Sequence, residues 1–434
     1  MNAGNGQSST PDGRDQFIPV RKCDITDALI EHGQLTDEAS KNEFRQICRM
    51  LGAIFHYEYF ERLEMLRRDY YYFDPEHEPP SRFDAAALER AYGELMVSFA
   101  AVLKGANFVE VSHADVQQEH RQSPLVRVTL RAPIEQFREV RFFRRGRHTE
   151  IFEIPRWFGL RRKVEAMVHD DVVLMVAMKS ASDLGGRASR KLRAHRKCRP
   201  GAVLIKYFRN IASADLNALF PNVEVVMSRF DKIFLGVPAL AGGVPILLNL
   251  WSTVTVMGLV IGAYLGISGA VEESQLKTAL AGVSGLVALG GFIMRQWTKY
   301  QRQSLKYQKE VTDNVYYRNI NNNAGIFDYI IGAAEEQECK EAFLAYYFLS
   351  TAASPPTQDE LDRRIEQWLK DTFAVDVDFE VDDALAKLER LGLLKHDGER
   401  LTVRPPEEAL ARLDYQWDNY FQYNVAQPAA AASA

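Results

Sequence analysis

Residues 233–294 read IFLGVPALAGGVPILLNLWSTVTVMGLVIGAYLGISGAVEESQLKTALAGVSGLVALGGFIM. The stretch holds two uncharged runs, 39 residues from Ile233 to Val271 and 17 from Thr278 to Met294, parted by Glu272, Glu273 and Lys277. A bilayer-crossing helix takes about 20 predominantly apolar residues, so the second run is just long enough and the first too long for one straight span. Pro238 and Pro245, with Gly242 and Gly243 between them, break the first run and leave a span at 246–267, preceded by a Gly/Pro turn and followed by a second span at 277–295. A buried hairpin in a globular core is the alternative. The fold class expected is an α+β membrane protein. Its two-helix transmembrane hairpin, residues 233–295, separates a helical plus antiparallel-sheet N-terminal region from a helical, winged-helix-like C-terminal region.

The flanks set the expected topology, because Lys and Arg stay on the cytoplasmic side. Arg229 and Lys232 precede the hairpin, and Arg295, Lys299 and Arg302 follow it. A two-pass protein with both termini in the cytoplasm is the expectation, in a bacterial inner membrane or, in a eukaryote, a mitochondrial one. Gly258, Gly262 and Gly266 recur every fourth residue and offer a small-residue face for helix packing within the hairpin or between protomers. Glycine is also simply commoner in membrane helices. Residues 1–16 lack the apolar segment of a cleaved secretory signal, and with the Ala-rich 426–434 they read as disordered tails.

Outward on the N-terminal side, residues 17–120 read as helical. Ile25, Leu29 and Ile30, then Phe44, Ile47, Leu51, Ile54 and Phe55, fall at three- and four-residue spacing, and Ala85–Lys104 forms another helical stretch. His56 and Glu64 fit one helix face, but without a second His at i+4 they read as a solvated face or an interhelical contact. Residues 121–230 read as a basic α+β region, with short strands at Val126–Leu130, Arg138–Phe143, Thr149–Ile154, Val164–His169 and Val172–Met178. From Arg121 to Arg209 there are 22 Lys plus Arg against 8 Asp plus Glu. Arg187, Arg190, Lys191, Arg193, Arg196, Lys197 and Arg199 crowd one polar loop. Beside a membrane hairpin this cluster reads as a contact for anionic lipid headgroups, with nucleic acid the less favoured rival.

On the C-terminal side, residues 296–352 read as helices. A seam of Trp297, Tyr300, Ser304, Tyr307 and Val311 asks for a helical partner, and Glu335, Glu336, Glu338 and Glu341 read as a solvated or salt-bridged face. Residues 354–425 read as a winged-helix-like domain: helices at Gln358–Phe373 and Val381–Leu391, then a hairpin turning at Asp397-Gly398. From Ser354 onward 17 Asp plus Glu face 9 Lys plus Arg, which repels a phosphate backbone and favours a protein partner or a second copy of the chain. Trp417-Asp418, with Tyr415, Tyr420 and Phe421, reads as a closing helix.

The whole chain, 434 residues at 47% hydrophobic content, net charge −5 and mean hydropathy −0.24, excludes collagen-like, disordered and disulfide-stapled classes. Cys23, Cys48, Cys198 and Cys339 are scattered, with no C-x-x-C pair, so reduced thiols are expected. No P-loop, G-x-S-x-G, H-E-x-x-H or dinucleotide glycine motif occurs, and no catalytic residue, metal or cofactor is expected.

Several strings carry a likeness. Phe17–Val20, Lys206–Ile211, Leu219–Asn222, Gly236–Leu240, Ala334–Glu338 with Lys340-Glu341, and Trp417-Asp418 together resemble the uncharacterised membrane-protein family typified by transmembrane protein 143, a DUF3754-like domain of unknown function. Tyr316-Tyr317 stands where that family suggests a more leucine- or phenylalanine-containing pair. The resemblance implies two membrane helices and supplies no activity or catalytic residue. The function expected is a membrane-anchored scaffold or interaction assembly, with an oligomeric pore and a lipid-acting enzyme as alternatives.

Overall fold

A computed structural model describes residues 14–77, 84–112, 129–131, 134–155, 161–184, 199–220, 224–226, 258, 260–266 and 273–421. The chain divides into two compact units, one of residues 1–123, 134–214 and 318–434 and the other of residues 124–133 and 215–317.

The first unit is α+β. Its helices are α1 (Lys22–Glu31), α2 (Glu38–Tyr70) and α3 (Ala85–Gly105), and its first strands are β1 (Val109–Val111), β3 (Phe137–Pro155), β4 (Arg161–Met178) and β5 (Val203–Ala212). Later in the chain come β7 (Asn319–Asn322), α5 (Ile326–Ser350), α6 (Gln358–Phe373), α7 (Val381–Arg390), the hairpin β8 (Leu394–Asp397) with β9 (Arg400–Val403), and α8 (Pro406–Asp418). Five strands form one sheet in the order β1-β3-β4-β5-β7, every pairing antiparallel. One cluster packs Phe143, Val173, Met175, Val203, Ile205 and Tyr207 of the sheet under α3, the second half of α2 and the first half of α5. A second cluster unites α1, the first half of α2, the second half of α5, and α6 to α8 with the hairpin. Helix α5 therefore runs through both cores, and 17 of its 25 residues are buried. Its second half, residues 339–349, is buried at every position, and a helical stretch with no solvated face is fixed at the centre.

Local chemistry places the ends. Asp37 and Asp84 cap α2 and α3 by accepting the Ser40 and Ala87 amides. Thr357 and Glu360 form a reciprocal capping box on α6. The Asp397-Gly398 turn joins β8 to β9, with Gly398 at φ +61°. The four short strands read at Arg138–Phe143, Thr149–Ile154, Val164–His169 and Val172–Met178 are two long ones. β3 and β4 pair from Phe137↔Met178 to Pro155↔Arg161, since Gly146 takes φ +65° without ending the pairing.

In the second unit, β2 (Thr129–Arg131) pairs antiparallel with β6 (Glu224–Val226), and α4 spans Glu273–Arg318. Here the sequence reading is corrected. Among the described residues no helix is long and apolar enough to cross a membrane. That overturns the transmembrane hairpin at 233–295, the membrane-protein fold class, and the two-pass placement with cytoplasmic termini in a bacterial inner or mitochondrial membrane. Lack of charge was the misleading signal: nine of the 17 residues Thr278–Met294 are Gly, Ala, Ser or Thr, and the run is a minor part of a 46-residue helix that continues through Arg295, Lys299, Arg302, Lys306 and Lys309. The first expected span, 246–267, lies outside the described residues except for 258 and 260–266.

Candidate functional site

Strands β3, β4 and β5 carry an irregular row across the sheet. Arg145↔Asp171 and Arg147↔His169 are partners in one pairing, Asp171↔Arg209 and His169↔Ile211 in the next, so Gly146, Asp170 and Asn210 face one another in order. Both flanks are left-handed, with Gly146 at φ +65° and Asn210 at φ +51°. At Gly146 a Cβ would overlap the Asp170 carboxylate, so only glycine fits. Asn210 is the non-glycine type that best tolerates this conformation, and its carbonyl accepts from Arg318 at 2.6 Å. Strain of this kind concentrates at functional sites.

A cleft of about 320 Å³ opens beside this row, lined by Phe17, Pro19, Val20 and Arg21, by Arg145, Asp170, Asp171, Arg209 and Asn210 of the sheet, and by Ala333, Glu336 and Lys340 of α5. Its wall is the extended segment before α1. That segment is anchored by Asn107 donating to the Gln16 carbonyl (2.8 Å), Lys340 donating to the Ile18 carbonyl (3.0 Å), and the Asp378 amide donating to the Asp15 carbonyl (3.0 Å). The Phe17 ring lies under the Arg145 guanidinium at 4.3 Å, with Lys340 Nζ 5.8 Å away.

The charges are cross-linked. Arg145, 7% exposed, donates from Nε to Asp171 at 2.8 Å and from Nη1 to the Ala106 carbonyl at 3.0 Å. Arg209, 52% exposed, reaches the other oxygen of Asp171 through Nε at 3.2 Å. One buried carboxylate thus bridges two guanidiniums and leaves a net positive edge. Lys340, 5% exposed, also donates to Gln337 at 3.0 Å and pairs with Glu336 at 3.4 Å. Burial pushes its pKa down to about 8, against the opposing pull of Glu336. His169, on the same strand as Asp171, is pushed down to about 3 by burial and then by Arg144 and Arg147. Its Nε2 lies 3.2 Å from Arg144 Nη1 and 3.0 Å from Ser213 Oγ. A guanidinium only donates, so Nε2 accepts and the imidazole proton is on Nδ1.

A second ionic cluster sits between α5 and α7, away from the cleft lining. Lys387 pairs with Glu341, with Glu338 at 3.1 Å and with Asp383 at 2.6 Å. Tyr59 donates to Glu338 and Asn107 to Glu341. Three carboxylates hold Lys387 charged, its pKa raised above the ordinary lysine value despite burial. Burial pushes Glu341 up to about 7, and the neighbouring acids reinforce it while Lys387 opposes.

Of the residues singled out from sequence, Arg187, Arg190, Lys191, Arg193, Arg196 and Lys197 lie outside the described residues, as do Arg229 and Lys232. Arg199 turns inward and donates to the backbone carbonyls of Tyr72 (2.8 Å) and Asp74 (3.0 Å). Arg295, Lys299 and Arg302 are exposed on α4. Gly258 is helical, Gly266 adopts φ +73°, and no described atom lies within 4 Å of where a Cβ would stand on either. The acids of α5 are salt-bridged, with partners on the protein's own helices: Glu335 meets Lys22 and His56, and Glu336 meets Lys340. Among the described residues no group of three or more His, Cys, Asp or Glu could hold a metal ion. Sequence reasoning did not assign Arg145, Asp170, Asp171, Arg209 or Lys340 to a site. The available signal was the set of strings Phe17–Val20, Lys206–Ile211 and Ala334–Glu338 with Lys340, which converge on this one cleft.

Residues 169–325 match the family described as Protein of unknown function (DUF3754). The match supports a DUF3754-like family, and it takes in Asp170, Asp171, Arg209 and Asn210 of the cleft. No solved structure matches the chain.

Proposed function

We propose that this protein is an interaction scaffold whose working site is the cleft between the N-terminal segment, the sheet and α5. One observation carries the reading: three distant stretches of chain close on a single small cavity, and its strained row and buried charges are held in place by pairing among themselves. Such a site positions a bound molecule, and cavities of about 300–1,000 Å³ are the size that small ligands occupy. The convergence of the quoted strings also supports the finer likeness to the family typified by transmembrane protein 143. A pore reading rested on paired membrane spans. The lipid-acting reading rested on a basic loop whose one described member, Arg199, is bound inward.

The partner contact of this scaffold is assigned to the aromatic face where α8 meets α2. Tyr57 packs edge-on against Trp417, Tyr420 and Phe421, while Phe60, Tyr415, Trp417 and Phe421 stay exposed. Large aromatic residues at a surface are the side chains that carry binding energy in protein interfaces.

The test is a thermal-shift and calorimetric screen of small anions, cations and neutral molecules against the wild-type chain and Ala333→Phe, which fills the cleft. A compound that stabilises the wild type and not the variant supports the reading. Failure of every charge class to bind would overturn it.

A further inference from the structure

We infer that the cleft receives a small organic oxyanion, its head on the guanidinium fork of Arg209 and its short apolar body against Phe17, Pro19, Val20 and Ala333. The inference rests on the cleft being a binding site and adds the class of ligand.

Charge decides the sign of that ligand. The lining carries four cations, Arg21, Arg145, Arg209 and Lys340, against three acids, Asp170, Asp171 and Glu336. Each acid is engaged: Asp171 by two arginines, Asp170 by His148 at 2.7 Å, and Glu336 by Lys340 and by the Lys22 amide at 3.3 Å. A cationic ligand would have to displace one of these pairs. Of the cations, Arg145 and Lys340 are almost wholly buried, and Arg21 is held by both oxygens of Asp24 at 2.8 Å. Arg209 differs, being half exposed and, among the described residues, hydrogen-bonded to Asp171 through Nε, with Tyr207 as its second side-chain neighbour. That arrangement leaves its two Nη groups, the fork that pairs bidentately with a carboxylate or phosphate, for a second oxyanion. Asp171 holds the head from behind at 3.2 Å and the Tyr207 ring lies 6.0 Å from it, which lowers the rotamer freedom lost on binding.

Size and polarity decide the rest. About 320 Å³ exceeds what an inorganic ion fills, and the wall of Phe17, Pro19, Val20 and Ala333 offers contact that such an ion cannot use. A carboxylate or phosphate monoester with a short hydrocarbon tail satisfies both. The buried Lys340 ammonium, whose three donors are taken by Ile18, Gln337 and Glu336, contributes charge to the floor.

The experiment is isothermal titration of the full chain at fixed ionic strength with butyrate, butyl phosphate, inorganic phosphate and butylammonium, repeated on Arg209→Ala, Arg209→Lys and Ala333→Phe. Each variant is first checked for folding by circular dichroism and urea melting. The expected result is binding of butyrate or butyl phosphate, weaker binding of inorganic phosphate, and none of butylammonium. Whichever of butyrate and butyl phosphate binds tighter identifies the head. Arg209→Ala should weaken the organic anion by at least about tenfold, Arg209→Lys should recover only part of that, and Ala333→Phe should abolish binding. Anion affinity unchanged in folded Arg209→Ala would overturn the inference, as would butylammonium binding as well as the anions do. If butylammonium alone binds and is lost in Ala333→Phe, the ligand class is wrong while the cleft remains a binding site. If nothing binds, the reading of the cleft falls with the inference.

Discussion

The first unit holds two buried ionic clusters that differ in how they end. On the sheet, Asp171 joins Arg145 to Arg209, and Arg209 leaves the cluster half in solvent at the edge of a cavity. Between the helices, Lys387 is enclosed by Glu338 and Glu341, and of its three carboxylate partners Asp383 is the exposed one. The closed cluster holds helices together, since a buried charge left without its partner is costly. The open one has a cation to spare. The contrast teaches that buried charge alone does not mark a site; a charged head left half in solvent at the edge of a cavity does.

The largest effect belongs to the closed cluster. Lys387→Ala should cost about 3–5 kcal/mol by stranding the carboxylates, read from urea denaturation near neutral pH. A loss under about 1 kcal/mol would mean that water reaches the helical cluster and that the contrast is false. Next comes pH, where the two regions carry opposite signs. Glu341 binds its proton with a folded pKa of about 7 against an ordinary 4.5, so between these values the native state holds more protons and this group lowers stability as pH rises. The cost is fully present above about 7 and absent below 4.5. Glu341→Gln should therefore gain on the wild type, on the order of 3 kcal/mol, as pH rises through that window. His169 does the reverse: with a folded pKa of about 3 against 6.5, the unfolded chain holds more protons and stability falls on acidification between those values. His169→Gln should flatten that acid limb and leave the Glu341 window in place, in paired urea melts across pH. A single shared pH profile for both variants would break the comparison.

Smaller still, Gly146→Ala should cost roughly 1–3 kcal/mol, because φ +65° disfavours a side chain and the added methyl meets Asp170. Part of that loss should return in Gly146→Ala with Asp170→Ala. Smallest of all, Arg209→Ala should change stability by no more than about 1 kcal/mol, as expected for a half-exposed pair. A much larger loss would make Arg209 a structural residue like Lys387.

Much of the helical core was legible. The spacing of Ile25, Leu29, Phe44, Ile47, Leu51 and Ile54 returns as buried positions of α1 and α2, and the Asp397-Gly398 turn sits where the hairpin reading put it. Within the helical stretch 17–120 the break between α1 and α2 falls where Gly33 takes φ +88° and Asp37 caps the next helix. The sheet was legible as strands and not as a pairing, since alternation says which residues share a face and nothing about what lies alongside. Arg145, Asp171 and Arg209 sit in different parts of the sequence, and only register brings them together. Local hydropathy misled most at Thr278–Met294, where small residues and a lack of charge resemble a membrane span. The α5 acids could be recognised as paired, and Lys340 stands four residues after Glu336 on the same helix, but Lys22 and Lys387 come from the tertiary packing.

The anchoring of the segment before α1 has a consequence for how the protein is made. Ile18 takes its hydrogen bond from Lys340, 322 positions later, and Asp15 takes its own from the amide of Asp378. At roughly 5–20 residues per second, the ribosome needs roughly 20–70 s to supply those partners after the segment has emerged. Throughout that interval Phe17 and Ile18 have neither a floor nor a wall to pack on, and the cleft does not exist. The segment before α1 is made long before it finds its place, so a nascent chain stays unable to bind until Lys340 and Asp378 have been added.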